Sequence, residues 1–254
     1  MTTDFTLILS TGRTGTKFFE KYINHTFQNS FCRHEPKPSR LFKVLANMQQ
    51  KNLVSEKLIA RQFAKQRNDQ LQADKHYIES NSFLYQCVPG LRLRYENIRV
   101  LHLVREPREY IRSHLNHGFW KGLKRITYQY GIFWDDTSEV HIPQQNDPVQ
   151  VLTARWYVVN STIQESSRGL QYSRIRFEDI FHDDPAVRSA TINSVRNFLD
   201  EKSLPQEENL QWMKKKVNKS RVDLWDEYPF HERHSAYLNE ICGDLMEEYG
   251  YSRL

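Results

Sequence analysis

The stretch from Phe5 to Phe19 constrains this chain most. It opens as an apolar, β-rich run, Phe5-Thr6-Leu7-Ile8-Leu9, and breaks at Ser10-Thr11-Gly12. It resumes with Phe18, Phe19, Tyr22 and Ile23 at helical spacing. A strand, a short glycine loop and a helix N-terminus form a phosphate cradle. The first amides of a helix have no intrahelical partner and sit at the positive end of its dipole. Gly12 and Gly15 let the backbone close around an anion, and Arg13 and Lys17 add charge. The spacing is not that of the Walker A loop, which needs four residues between its glycines and then Gly-Lys-Ser/Thr. Here Arg13 and Thr14 separate the glycines, and Thr16-Lys17 follows.

A second segment carries the same kind of chemistry. Ile98 to Val104 reads as a buried strand rich in branched apolar residues, and Arg105-Glu106-Pro107 ends it. Pro107 suits the first position of a helix. Ser113 then lies about two turns along, ~9 Å at ~1.5 Å per residue. An Arg at a strand's carboxyl end and a Ser on the next helix can grip one phosphate from two sides. Arg offers a planar fork of donors and Ser a hydroxyl.

Together the two segments resemble the sulfotransferase family, which uses 3′-phosphoadenosine-5′-phosphosulfate (PAPS). The loop Ser10-Thr11-Gly12-Arg13-Thr14-Gly15-Thr16 is similar to the family's 5′-phosphosulfate loop. Leu103-Val104-Arg105-Glu106-Pro107-Arg108, followed by Ser113, is similar to its 3′-phosphate motif. Trp156, Asn160 and Ile163 resemble the family's helix before its last core strand, and Tyr172 to Ile180 the strand and turn that follow. Val217, Asn218, Ser220 and Trp225, with a final helix ending Glu248-Tyr249-Gly250-Tyr251, resemble its C-terminal region. Glu106 stands where the family usually has Asp, and Lys17 where a hydroxyl residue is common. Neither change removes an anion-binding group. The insertion from about Phe119 to Pro148 matches no feature of the family.

Strands read near Thr6–Ser10, Phe31–Arg33, His76–Glu79, Ile98–Val104 and Ser173–Phe177. Helices read at about Thr16–Phe27, Arg40–Gln66, Pro107–His117, Val149–Ser166, Pro185–Leu199 and Glu232–Glu248. Ser39, Asp147 and Asp184 stand near three helix starts, where a side-chain oxygen can cap free amides. The alternation predicts an α/β fold: one domain over residues 1–254, with a central parallel sheet, flanking helices and a nucleotide-binding loop of the P-loop kind. Asp135 to Asp147 reads as a loop or lid within an aromatic-rich insertion at about 119–148. Ligands in such sheets bind beyond the carboxyl ends of the strands, where both phosphate motifs fall.

Net charge is +5. Nine Lys and Arg lie between Arg33 and Arg67, against Glu35 and Glu56. Such a field attracts anionic nucleotides or acidic acceptors. No dense basic run or nucleic-acid motif interleaves these cations, so no nucleic-acid partner is expected. Cys32, Cys87 and Cys242 are far apart and make neither a metal-ligand spacing nor an even disulfide set. With no long apolar run or leader, the expectation is a cytoplasmic protein without a membrane span.

The resemblance implies sulfuryl transfer from PAPS to a hydroxyl or amine of a carbohydrate or small-metabolite acceptor, with no metal required. Arg13 matches the family's loop cation near the bridging oxygen. Gly12, Arg13, Thr14, Gly15, Thr16 and Lys17 would hold the 5′-phosphosulfate, and Arg105 and Ser113 the 3′-phosphate. Families of this fold use a His or a carboxylate as base, often from the loop after the second strand. Here that loop is Cys32-Arg33-His34-Glu35-Pro36-Lys37-Pro38, stiffened by two prolines. Glu35 is the first choice, because Pro36 fixes its backbone, and His34 the second. Pairing of Glu35 with Arg33 or Lys37 is the purely structural alternative. His102, inside a strand, reads as a core histidine. His114 and His117 sit one turn apart without a third ligand, so no zinc site is read. Phe119, Trp120, Tyr128, Tyr130, Phe133 and Trp134 could stack on a sugar ring or simply pack a loop. The alternatives are a divergent P-loop kinase and a nucleotide-binding regulator without turnover. A kinase usually holds Mg²⁺ with a strand-end Asp, and no apolar strand here is followed by one.

Overall fold

The computed structural model describes residues 5–71, 74–117, 137–200 and 229–254. It divides into two compact units, Met1–Val104 with Ile163–Val217, and Arg105–Thr162 with Asn218–Leu254. The aromatic cluster Phe119 to Trp134 and the segment Val217 to Trp225 lie outside the described residues.

The first unit holds a five-stranded parallel sheet built from β1 (Phe5–Ser10), β2 (Ser30–His34), β3 (His76–Ser80), β4 (Ile98–Val104) and β5 (Gln171–Arg176). Strand order is β2-β3-β1-β4-β5. All six residues of β1 are buried, as expected of a central strand covered on both faces. Register is fixed by pairs such as Ile8 with Ser80 on one side and Leu101 on the other. The helices of this unit are α1 (Thr16–Thr26), α2 (Ser39–Gln50), α3 (Glu56–Leu71) and α4 (Val88–Arg92).

Side chains alternate along each strand and so divide the core. Ile8, Cys32, Ile78, Leu101, Leu103 and Ile175 pack with Phe18, Phe19, Tyr22 and Ile23 of α1. On the other face, Phe5 stacks on Phe63 of α3 at 5.5 Å and meets Tyr95 edge-on at 5.2 Å. Helices therefore cover both faces, as the α/β pattern predicts.

The predicted helix over Arg40–Gln66 is two helices. The break is a Schellman turn: Asn52 is left-handed (φ 57°), Leu53 N–H donates to Met48 O at 2.9 Å, and Asn52 N–H to Gln49 O at 2.8 Å. Ser55 then caps α3 through Leu58 N–H at 3.3 Å. Ser39 does not cap α2 as expected; its hydroxyl donates to Pro36 O at 2.5 Å.

A buried ion pair joins α3 to β3. Arg67 donates in bidentate fashion to Glu79, at 2.7 and 3.0 Å, with the two side chains 1% and 0% exposed. Tyr77 Oη (2.5 Å) and Asn81 Nδ2 (2.7 Å) also donate to Glu79. His102 is fully buried and bonded to Tyr172 Oη at 2.9 Å, the core role expected of it.

The second unit contains α5 (Pro107–Asn116), most of α6 (Pro148–Ser166) and α9 (Glu232–Glu248). Asp147 accepts from Val149 N–H at 2.9 Å at the start of α6. Back in the first unit, the short α7 (Phe177–Ile180) and α8 (Pro185–Phe198) follow β5, and Asp184 caps α8 through Ala186 N–H at 2.8 Å. Among the described residues no helix is long and apolar enough to cross a membrane.

Removing Glu79 strands the Arg67 charge in the core. Glu79→Ala should therefore lower stability by about 3–5 kcal/mol, read as a lower denaturation midpoint at unchanged slope.

Candidate functional site

The loop between β1 and α1 has the conformation its glycines predict. Gly12 and Gly15 lie at φ 79° and 81°, and Arg13 between them at φ 59°. A turn containing left-handed residues is one of the backbone forms that can present N–H groups to an anion. Gly12 N–H is held by Ser10 Oγ at 3.1 Å. No side-chain oxygen caps the first turn of α1, and that turn carries no acidic residue. Lys17, the second residue of the helix, is exposed.

Two details bear on what the loop holds. Thr14 is fully buried, and its hydroxyl has no hydrogen-bond partner among the described residues. A buried unsatisfied hydroxyl costs about 1–3 kcal/mol, which a phosphate oxygen would offset only if the loop shifts to open that atom. Gly15 is excluded from carrying a side chain twice over. Its φ disfavours one, and a Cβ there would lie 3.0 Å from the Phe177 ring.

The base candidates lie in the same unit. β2 ends at His34, and Glu35 follows in a left-handed conformation (φ 43°). Its amide donates to Ser80 O at 3.0 Å. Its carboxylate Oε1 accepts from Ser82 Oγ at 2.6 Å. Ser82 in turn lies 3.8 Å from where a Cβ on Gly12 would sit. Glu35 is thus tethered through one hydroxyl to the neighbourhood of the phosphate loop. His34 Nδ1 lies 3.2 Å from Ser80 O, to which it donates. Ser82 was not anticipated. The run Ser80-Asn81-Ser82 after a short apolar strand was the available signal, but nothing in it says which serine reaches Glu35.

The second unit carries Arg105, Ser113 and their supports. Arg105 immediately follows the last residue of β4. Its carbonyl accepts from Nε1 of the buried Trp156 at 2.9 Å, and its guanidinium lies 3.5 Å from Glu109 Oε2. Glu106 caps α5, accepting from Glu109 N–H at 2.8 Å, a role that Asp fills as readily. Burial pushes its carboxyl above the usual range, and the amides of Glu109 and Arg108 pull it back. Ser113 is half-buried on α5. His114 is buried, bonded through Nδ1 to Tyr110 O (3.1 Å) and through Nε2 to Arg155 (3.1 Å), so it is engaged in packing.

Two other chemistries find little support. Cys32, Cys87 and Cys242 are buried, and burial pushes each thiol well up, Cys87 to about 12. None is a thiolate at neutral pH. Among the described residues no three His, Cys, Asp or Glu side chains are grouped to hold a metal.

A parallel sheet with a glycine phosphate loop between its central strand and the next helix defines an α/β, P-loop-like architecture. Comparison with solved structures makes the class narrower. A sulfotransferase domain from the curacin biosynthetic pathway matches with a TM-score of 0.59 at 16% identity, over 99% of each chain. A sulfotransferase from Alicyclobacillus acidocaldarius matches with a TM-score of 0.58 at 12% identity, over 98% of this chain and 96% of that one. A third, from Mycobacterium avium, gives 0.56 and 12%, over 99% of this chain and 78% of that one. No protein-family model and no curated protein matches the sequence. The chain has the sulfotransferase fold.

Thr14→Val tests whether the loop opens to present the Thr14 hydroxyl to an anion. The free protein should keep its stability or gain up to about 1 kcal/mol, because an unsatisfied buried hydroxyl is removed. Affinity for adenosine 3′,5′-bisphosphate should fall roughly tenfold, as measured by calorimetry beside thermal denaturation. Gly15→Ala should lower both stability and affinity.

Proposed function

We propose that this protein is a sulfotransferase moving a sulfuryl group from PAPS to a hydroxyl of a carbohydrate or small metabolite. The whole chain is read as one domain of that kind, with residues 119–148 inserted. The observation that carries the reading is the glycine loop leading into a helix start that no side chain caps, with a carboxylate held near it through Ser82. The sulfotransferase fold supports it.

In the proposed reaction the acceptor oxygen attacks sulfur. The bond from sulfur to the bridging phosphate oxygen breaks, the acceptor proton passes to Glu35, and adenosine 3′,5′-bisphosphate leaves. Arg13 and the amides of residues 13–17 stabilise charge on the sulfuryl group and bridging oxygen. Gly12, Thr14, Gly15, Thr16 and Lys17 seat the 5′-phosphosulfate, and Arg105 and Ser113 the 3′-phosphate. A positioned base contributes ~10²–10⁴-fold. His34 is the second candidate for that role.

Calorimetric titration with adenosine 3′,5′-bisphosphate and with ATP plus Mg²⁺ tests the donor. Tighter binding of the bisphosphate without metal is expected; preference for ATP and Mg²⁺ would move the assignment to a kinase. Arg105→Ala should weaken the 3′-phosphorylated nucleotide roughly tenfold or more relative to its 3′-hydroxyl analogue. Equal weakening of both removes Arg105 from the 3′-phosphate site. Transfer of label from PAPS to a panel of glycosides and small alcohols then identifies the acceptor. A nucleotide-binding regulator would bind the bisphosphate and transfer to nothing.

A further inference from the structure

Glu35 is held more firmly than a loop carboxylate needs to be. Its backbone sits at φ 43°, a conformation that residues with a Cβ adopt only when their surroundings impose it. The next two carbonyls both receive the same guanidinium: Arg67 Nη2 donates to Pro36 O at 3.0 Å and Nη1 to Lys37 O at 3.2 Å. Pro36 O also accepts from Ser39 Oγ, which itself accepts from Asn81 Nδ2 at 2.8 Å. Asn81 and Arg67 both end on Glu79. The loop after Glu35 is thus fastened to β3 and α3 by a closed buried network. The carboxylate itself is fastened separately, by Ser82.

A buried ion pair is a weak source of stability, because desolvation consumes most of the Coulomb gain, and apolar residues of similar volume often serve as well. Such residues could not reach the carbonyls of Pro36 and Lys37. The use of Arg67 is therefore better explained by the shape it imposes on the loop. Ser82 occupies Oε1 of Glu35 and leaves Oε2 to meet a proton. Being also near Gly12, it refers the carboxylate to the phosphate loop.

We propose that Ser82 and Arg67 are positioning residues for Glu35: Ser82 orients the carboxylate against the phosphate loop, and Arg67 fixes the backbone that carries it. The inference rests on reading Glu35 as the base.

The test uses the full chain and the variants E35Q, S82A, S82T, R67K and the double variant E35Q/S82A. Release of labelled sulfuryl groups from PAPS to methyl β-D-glucoside and to water is measured, with calorimetry of adenosine 3′,5′-bisphosphate alongside. S82A should lower kcat roughly tenfold with KM for PAPS and bisphosphate affinity unchanged, and S82T should restore the rate. In the E35Q background S82A should cause no further loss, because residues acting as one unit are not additive. R67K should also lower kcat at unchanged bisphosphate affinity. An S82A loss that persists in full on E35Q, or that appears equally in bisphosphate affinity, overturns the proposal and leaves a structural role. If R67K does not fold, the Ser82 series still decides whether Glu35 is positioned in this way. E35Q at wild-type rate refutes the base assignment and this inference with it. A wild-type protein that binds bisphosphate but transfers no sulfuryl group to methyl β-D-glucoside, to water or to the panel of glycosides and small alcohols refutes the enzymatic reading itself.

Discussion

The end of β1 imposes the constraint on which the site depends. A central strand buried on both faces must leave the sheet at its carboxyl edge and turn at once into α1, which packs back on the same sheet. The turn is short because α1 begins at Thr16, six residues after Ser10. Three left-handed residues make the reversal possible. The Phe177 ring, 3.0 Å from a notional Cβ, closes the space beside Gly15. What remains is a short run of backbone leading into a helix start that no side chain caps. The proposed anion-binding character follows from how the strand meets the helix, and Arg13 and Lys17 add charge to it.

The same edge of the sheet explains why a carboxylate can be placed beside that loop. Strands β2, β3 and β1 are neighbours, with His34 opposite Ser80 and Ser80 opposite Ile8. Residues just past the ends of all three strands therefore gather in one place, and Glu35, Ser82 and Gly12 are such residues. Glu79 lies one residue before the end of β3 and faces the core. It binds Arg67 from below the loop that Glu35 begins. The strands bring the participants together, and the buried polar network fixes one backbone path among those the loop could take.

Much of this is visible in the sequence, for physical reasons. β1 and β4 were legible because parallel strands with two covered faces are short, apolar and rich in branched residues, whereas β2, β3 and β5 mix polar residues in and were read from their place in the strand and helix alternation. The loop was legible because left-handed turns demand glycine, and Arg105 because Pro107 marks where β4 gives way to α5. The break between α2 and α3 was missed. Its signals, Asn52 in place of the usual glycine and a Ser55 cap, are weak beside the helical periodicity on either side. Glu35 could be nominated from its position after β2, but its partner could not. The expected alternatives, Arg33 and Lys37, are neighbours in sequence, whereas Ser82 is 47 residues away and arrives through strand pairing. Arg67 reads in the sequence as one more cation on a basic helix, and only its burial against Glu79 distinguishes it.

A negative base beside an anionic donor is at first sight a poor arrangement, and the charge movement of the proposed reaction accounts for it. Before transfer, the Glu35 carboxylate and the phosphosulfate repel each other, and only Ser82 and the loop cations temper this. As the acceptor proton moves to Glu35, the charge there disappears while charge grows on the bridging oxygen. Repulsion is then present in the ground state and relieved in the transition state, the kind of difference that raises rate rather than affinity. A histidine in the same place would become cationic and attract the leaving phosphate, which is equally serviceable, so electrostatics alone does not choose between His34 and Glu35. Tethering does. The Nδ1 of His34 is bonded to a β3 carbonyl, whereas the carboxylate of Glu35 is bonded to the hydroxyl that borders the phosphate loop. A proton acceptor must be fixed relative to the atom it serves, and the Ser82 tether is the contact that refers a base candidate to that loop.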